Sequence, residues 1–462
     1  MHKLAGKPSG AIEMTTGSIW KNMLIFSLPL MMSQVLEVLF NLSDVAVAGK
    51  FADYRALGAV GSTTLLVSLF TGFLIGMGNG VNVCAAHRLG AGDERGTANT
   101  VHSSLVICIG IGLLMGLICH FGARPFLTML HTKDELIDGA ELYLKIYALG
   151  MPAMAIFNYG NGLLSACGET KRPLAYLTAA GVLNVILNLF FVIVCKKAAD
   201  GVAIASVISQ YLSALLILRH LFMRSDACRL RFTTRYIDKK ACKNVLSLGI
   251  PSGFQSAIFA IANLFVQTGV NSFDAILVSG NSAAANADAL IYNVMGAVYV
   301  GCSSFVSRNL GAGAQDRVKK SYVVALTYSF AIGAFLGGLL LVFGREFLSV
   351  FANEPEVIDA GMERLKIMGW SYGLSAFMDC TIAASRGIGK TIAPTVIVIL
   401  GSCVFRVIWV YTVFAYFHTI TSLYLLYSFS WVITAAAEII YFVHSYKRLP
   451  SALSIGRIYP VG

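Results

Sequence analysis

Long apolar runs alternate with short polar breaks along almost the whole chain. Twelve runs stand out, at 20–45, 56–86, 98–121, 138–165, 173–195 and 201–222, then 243–270, 282–307, 320–343, 358–385, 392–416 and 420–445. About 20 predominantly apolar residues, rising 1.5 Å each as a helix, cross the hydrocarbon core of a bilayer. The pattern therefore predicts an all-α polytopic membrane protein of twelve transmembrane helices. Between the sixth and seventh runs lies "RSDACRLRFTTRYIDKKACKN", the longest strongly basic break. It divides the chain into an N-terminal lobe (1–222), a basic linker (223–242), a C-terminal lobe (243–446) and a tail (447–462).

The two lobes carry the same phrases. "RLGAGDER" begins at Arg88, and "RNLGAGAQDR" begins at Arg308, with the Gly-Ala-Gly core displaced by 221 residues. "IFSLPL" around Pro29 recurs as "SLGIPS" around Pro251, and "DGAELYLKI" from Asp138 as "DAGMERLKI" from Asp359. With six runs in each half, both halves enter the membrane in the same orientation. That is a parallel internal repeat, the plan of a two-lobed transporter. The Gly-rich phrases are then equivalent tight turns after the second and eighth runs, where glycine permits the turn. "ASRGIGKT" from Ala384 resembles a phosphate loop, but Ala384 replaces its first glycine and a helix, not a strand, precedes it.

Composition agrees with this picture: 56% of the 462 residues are hydrophobic and 13% charged, with a mean hydropathy of +0.72. The net charge of +11 would suit nucleic acid, but its distribution is that of a topology signal. Placing the N-terminus in the cytoplasm assigns 24 of the 35 Lys and Arg to that side and 10 to the other, with Arg406 inside a run. Positively charged loops stay inside, so both termini are expected in the cytoplasm of a cell carrying this chain in its plasma membrane, with no nucleic-acid partner. The start of the chain has no short apolar region typical of a cleaved leader. The ten cysteines and eight histidines show no metal spacing, which argues against an intramembrane enzyme.

Polar residues inside apolar runs are expensive and are functional candidates by default. In the first run, Gln34, Glu37, Asn41 and Asp44 fall at spacings of 3, 4 and 3, on one helical face. Asn184 and Asn188 stand one turn apart in the fifth run, and Ser206 and Gln210 likewise in the sixth. Together these residues suit a cation or a proton site: oxygen ligands fit Na⁺, and a buried carboxylate fits H⁺. The second lobe offers Asn263 and Gln267 in the seventh run, with Asp379, Arg406 and Glu438 in the last three. An ion pair from Arg406 to Asp379 or Glu438 is expected there, while Asp288 reads as interfacial.

The ensemble of twelve runs in two parallel halves, "DVAVAG" closing the first, "LGAG" after the second and eighth, and "GETKRP" and "RGIGKTIAP" after the fourth and tenth resembles the multidrug and toxic compound extrusion (MATE) family. "ANLFVQTGVNSF" and "FRVIWVYTVF" are similar to its DNA-damage-inducible type branch. The resemblance implies a monomeric antiporter that exports organic, cationic or amphipathic compounds in exchange for H⁺ or Na⁺ by alternating access, with no cofactor. It also implies that Asp44 is the coupling aspartate, that Asn184 and Ser206 stand at matched positions, that Asp44, Asn184, Asn188 and Ser206 are the candidate Na⁺ set, and that Pro29 is the hinge of the first helix. Asn188 replaces an aspartate found in some members, and Phe259 stands near a glutamate of the sodium-type members. The alternative within the superfamily is a flippase or exporter of lipid-linked sugars or oligosaccharides.

Overall fold

The computed structural model describes residues 11–52 and 54–449; the first ten residues and most of the tail lie outside them. Thirteen helices account for the apolar runs. They are α1 (Ile19–Phe51), α2 (Tyr54–Gly90), α3 (Glu94–Met129), α4 (Asp134–Ala148), α5 (Met151–Cys167), α6 (Lys171–Val194) and α7 (Ala199–Met223). After the linker come α8 (Lys239–Val270), α9 (Ala275–Gly311), α10 (Gln315–Ser349), α11 (Pro355–Gly387), α12 (Ile392–Phe417) and α13 (Ile420–Lys447). No strand occurs among the described residues. Every backbone donor in a bilayer must be satisfied locally, and helices do this.

The fourth run proves to be two helices. α4 and α5 meet at a 48° bend, where Gly150 precedes α5 and Pro152 occupies its first turn. Proline has no N–H to bond across the break, and its ring favours a helix start there. Among the described residues, ten single helices are long and apolar enough to cross a bilayer, and the bent pair makes an eleventh. α11 has the length but a lower apolar content, because it carries Glu363, Arg364, Lys366 and Asp379. Of these, Glu363 and Lys366 are exposed, and only Arg364 is buried where α9, α10 and α13 pack against α11.

Two compact units emerge. Among the described residues, one comprises 11–13 and Met32–Ala257, and the other comprises Met14–Met31 and 258–449. The linker thus belongs to the first unit, and α1 and α8 each contribute to both. α1 passes from the second unit to the first two residues beyond Pro29, and α8 makes the reverse change six residues beyond Pro251. The first core contains Leu74, Met77, Leu144, Tyr159, Leu163 and Ile217. The second contains Met295, Met368, Tyr372, Leu423, Tyr424 and Trp431. Outward positions such as Leu117, Phe121, Val342 and Ile440 are exposed and apolar, as helices facing lipid require.

Close helix approach is set by glycines. A Cβ on Gly337 of α10 would lie 1.8 Å from the Gly369 carbonyl oxygen of α11, and one on Gly162 of α5 would lie 2.2 Å from the Gly78 oxygen of α2. Small residues let membrane helices touch backbone to backbone. The repeated Gly-rich turns adopt the same conformation, with Gly92 at φ +67° and Gly313 at φ +73°. Their arginines differ in use. Arg88 pairs with Asp93 at 2.8 Å, while Asp93 also caps α3 by accepting from the Gly96 N–H at 2.7 Å. Arg317 instead donates to the carbonyls of Met14 and Gly17, each at 3.1 Å.

The α5–α6 turn is fastened by Glu169, which is buried against Arg224 at 2.8 Å, Arg172 at 3.3 Å and His220 at 3.4 Å. Burial alone would raise the Glu169 carboxyl, but His220 and Arg224 hold it below the usual glutamate range. A carboxyl lowered on folding contributes stability above its unfolded pKa of about 4.3, and loses it as pH falls through the folded value. Glu169→Gln should therefore destabilise the protein by about 2 kcal/mol at neutral pH, because it removes one of the two carboxylates on the buried Arg224 guanidinium, which keeps Asp226. Thermal unfolding followed from pH 7 to pH 4 checks this: the gap between wild type and variant should narrow toward acid.

Candidate functional site

Three polar helix faces in the first unit converge on Asp44. It lies near the end of α1, where the regular spacing of the stripe brings it opposite α6 and α7. Asn188 of α6 donates its amide to Asp44 Oδ1 at 2.5 Å, and Ser206 of α7 donates its hydroxyl to Oδ2 at 3.2 Å. Asn184, one turn before Asn188, donates to Ser206 Oγ at 3.3 Å and accepts from Asn188 at 3.2 Å. Asn188 is 0% exposed, and Asn184 and Ser206 are buried. No arginine, lysine or histidine pairs with Asp44 among the described residues. Its charge is met by neutral donors alone, and the Asn188 Oδ1 beside it has no hydrogen-bond partner.

The rest of the α1 stripe does not join this group. Gln34 and Glu37 are half-buried and Asn41 is exposed; none of them bonds to Asp44, Asn184, Asn188 or Ser206. Gln210 turns instead toward the α4–α5 bend. Its buried Oε1 would touch a Cβ placed on Gly150 and has no hydrogen-bond partner. Tyr143 and Tyr147 of α4 are buried and stacked at 5.9 Å. Periodicity could align the stripe on one face. It could not show which of the four residues meets a partner helix.

The second unit arranges its polar residues differently from expectation. Arg406 of α12 is 3% exposed and donates to Asn263 at 3.1 Å and to Ser430 at 3.4 Å. Its guanidinium lies 4.6 Å from the Tyr427 ring centroid and 5.5 Å from that of Phe259. No ion pair joins Arg406 to Asp379 or Glu438, so the expected pairing is corrected: the arginine faces neutral and aromatic partners. Glu438 is fully buried with both carboxyl oxygens unpartnered, and Asp379 is half-buried. Gln267 does not reach Arg406 but donates to Asn271 at 2.8 Å. Arg406 occupies a single α-helical turn between two wide π-helical segments, Ile399–Val404 and Val410–Phe414. Such wide turns recur at functional positions, and no residue type announces them.

The largest omission from the sequence reading is Arg364. It is 4% exposed inside α11, ion-paired to Asp288 of α9, and donates to Asn281 at 2.7 Å. Tyr372 donates to the other Asp288 oxygen. The rings of Tyr424 and Tyr427 lie 5.1 and 5.4 Å from the guanidinium. Asp288 is therefore a half-buried ion-pair partner of a buried arginine, not an interfacial residue. One signal was available. Aligning "DGAELYLKI" with "DAGMERLKI" sets Arg364 opposite Tyr143, a charge where the repeat has an aromatic ring.

The MatE family model matches the chain twice, over residues 29–190 and 251–412, so the internal repeat is also a repeat of the family unit. Two curated relatives come from Bacillus subtilis (strain 168). The probable multidrug resistance protein YpnP is 26% identical over 78% of this chain and 81% of its own. The probable multidrug resistance protein YoeA is 27% identical over 82% and 84%. A crystal structure of MATE in complex with MaL6 superposes with a TM-score of 0.88 at 20% identity, covering 96% of this chain and 99% of that one. With both halves matched and the twelve-helix, two-lobed fold shared, this chain belongs to the multidrug and toxic compound extrusion family of membrane transporters.

Proposed function

We propose that the protein exports organic cations or amphipathic compounds by alternating access, driven by protons that bind at Asp44. The observation that carries the reading is the Asp44 group itself. Both carboxylate oxygens accept hydrogen bonds, from the Asn188 amide and the Ser206 hydroxyl, and Asn184 Oδ1 is engaged by Asn188. A sodium ion needs a shell of free oxygens, whereas here N–H and O–H groups point at the acid. A proton needs only one carboxylate oxygen and no cage. Neutralising Asp44 removes the penalty of a buried charge, so protonation changes which arrangement of α1, α6 and α7 is favoured. The efflux direction follows from the relatives, whose names describe multidrug resistance.

Proteoliposomes loaded with a fluorescent organic cation separate the possibilities. A pH gradient at equal Na⁺ should drive its export, and a Na⁺ gradient at equal pH should not. Export driven by Na⁺ alone would overturn the proton assignment and leave the coupling site in place. Arg406 favours a second reading, in which the substrate is an amphiphile with an acidic group, because its partners are all neutral. An anionic fluorophore exported in the same vesicles would support that reading over organic cations.

A further inference from the structure

On the linker side of the first unit is a cavity of about 400 Å³ that coupled transport at Asp44 does not use. Its walls come from the start of α3 (Arg95, His102) and from the linker (Arg229, Arg231, Arg235, Tyr236). None of the four arginines makes an ion pair among the described residues. Glu94 and Asp226 also face the cavity, but Asp226 is already neutralised. Arg224 binds both of its oxygens, at 2.9 and 2.5 Å, and the Cys228 N–H adds a third contact at 3.1 Å. Four guanidiniums therefore face one unpaired carboxylate.

The linker is held in place around this cavity. Ser103 Oγ accepts from the Asp238 N–H at 2.9 Å, and the Leu230 N–H donates to the Leu221 carbonyl at 3.0 Å, with Leu230 and Cys228 buried. His102 contributes shape but no charge. Its Nδ1 faces the Ala98 carbonyl at 2.8 Å, where it must donate, and its Nε2 accepts from the Arg231 N–H at 3.1 Å. That fixes the neutral tautomer. The His102 ring lies 5.1 Å from that of Tyr236, whose hydroxyl is 3.5 Å from Arg231. A topology signal requires positive charge but neither a cavity nor arginine, since lysine serves equally. Gathering four unpaired guanidiniums around a defined space costs repulsion that a multivalent anion removes.

We propose that this cavity binds a phosphate group. The planar guanidinium fork matches phosphate oxygens two at a time, and the Tyr236 hydroxyl adds a donor. The phosphate has two sources of the same chemistry: the headgroup of an anionic phospholipid, for which basic pockets beside transmembrane helices are suited, or a free phosphate compound in solution. Either one clasps the linker to the start of α3. The site is separate from Asp44 and does not depend on the coupling ion.

The purified full chain tests this directly. Equilibrium dialysis with radiolabelled inorganic phosphate forms one arm. The other is native mass spectrometry of lipids retained from micelles containing equal phosphatidylglycerol and phosphatidylcholine. Wild type is compared with Arg229→Gln/Arg231→Gln/Arg235→Gln, and with Arg95→Gln, which approaches from α3 and serves if the triple variant fails to fold. At least one arm should show binding that weakens tenfold or more in the triple variant and measurably in Arg95→Gln. Phosphatidylglycerol retention alone assigns the lipid source, phosphate binding alone the soluble one, and both together a site open to either. If wild type binds neither probe better than the variants do, the cavity is not a phosphate site.

Discussion

Asp44→Asn should leave a folded protein that no longer couples export to a pH gradient. Asparagine keeps the shape and can accept from Ser206 through its carbonyl, so α1, α6 and α7 retain most of their contacts. What is lost is the only acid in the Asn184–Asn188–Ser206 group, and with it the ability to take up and release a proton. One charge moving through 100 mV supplies about 2.3 kcal/mol, which at about 1.4 kcal/mol per tenfold holds roughly a fifty-fold substrate gradient. The variant should therefore fall from concentrative export to equilibration, a ratio near one, while its thermal unfolding stays close to wild type. Substrate efflux and vesicle acidification measured together check both halves of the claim. Concentrative export that persists in Asp44→Asn would move coupling elsewhere, and Glu438, buried without a partner, would be the next residue to test.

The helices were legible because the bilayer imposes a single strong rule, apolar length, on each of them. The repeat was legible because both halves preserve Gly-Ala-Gly, Pro29 with Pro251, and the Asp138 and Asp359 phrases at spacings of 221 or 222 residues. Polarity inside apolar runs marked Asp44, Asn184, Asn188 and Ser206 as candidates, but Gln34, Glu37 and Asn41 share the face of Asp44, and the family resemblance picked out these four. Three things were not legible, each for a physical reason. The α4–α5 bend follows from Gly150 and Pro152 together, but a proline in a membrane helix also occurs without a break, as Pro29 does within α1. The partner of Arg406 depended on helix rotation about wide turns that shift the register of α12. Arg364 stands near the start of the tenth run, where a charge usually reaches water; here partners from α9 and α13 enclose it. The same enclosure turned Asp288 from a surface residue into its counter-ion.

Arg364→Met should be the most destabilising single change in the second unit. It strands Asp288, whose other contact is the Tyr372 hydroxyl, and it removes the cation between Tyr424 and Tyr427. Breaking a buried ion pair from one side costs about 3–5 kcal/mol, because the remaining charge has no compensation. Removing both charges costs far less, since methionine fills the guanidinium's space and asparagine still accepts from Tyr372. Arg364→Met/Asp288→Asn should thus recover at least half of the stability lost by Arg364→Met alone, and a double-mutant cycle by thermal unfolding measures the coupling. The cycle also separates architecture from transport. Tyr427 contacts both Arg364 and Arg406, at 5.4 and 4.6 Å, so losing the first guanidinium frees the ring that covers the second. If the double variant is stable and exports at the wild-type rate, the pair serves only to hold α9, α11 and α13 together. The expected result is recovered stability with slowed export, because the ring that positions Arg406 is no longer clamped from both sides.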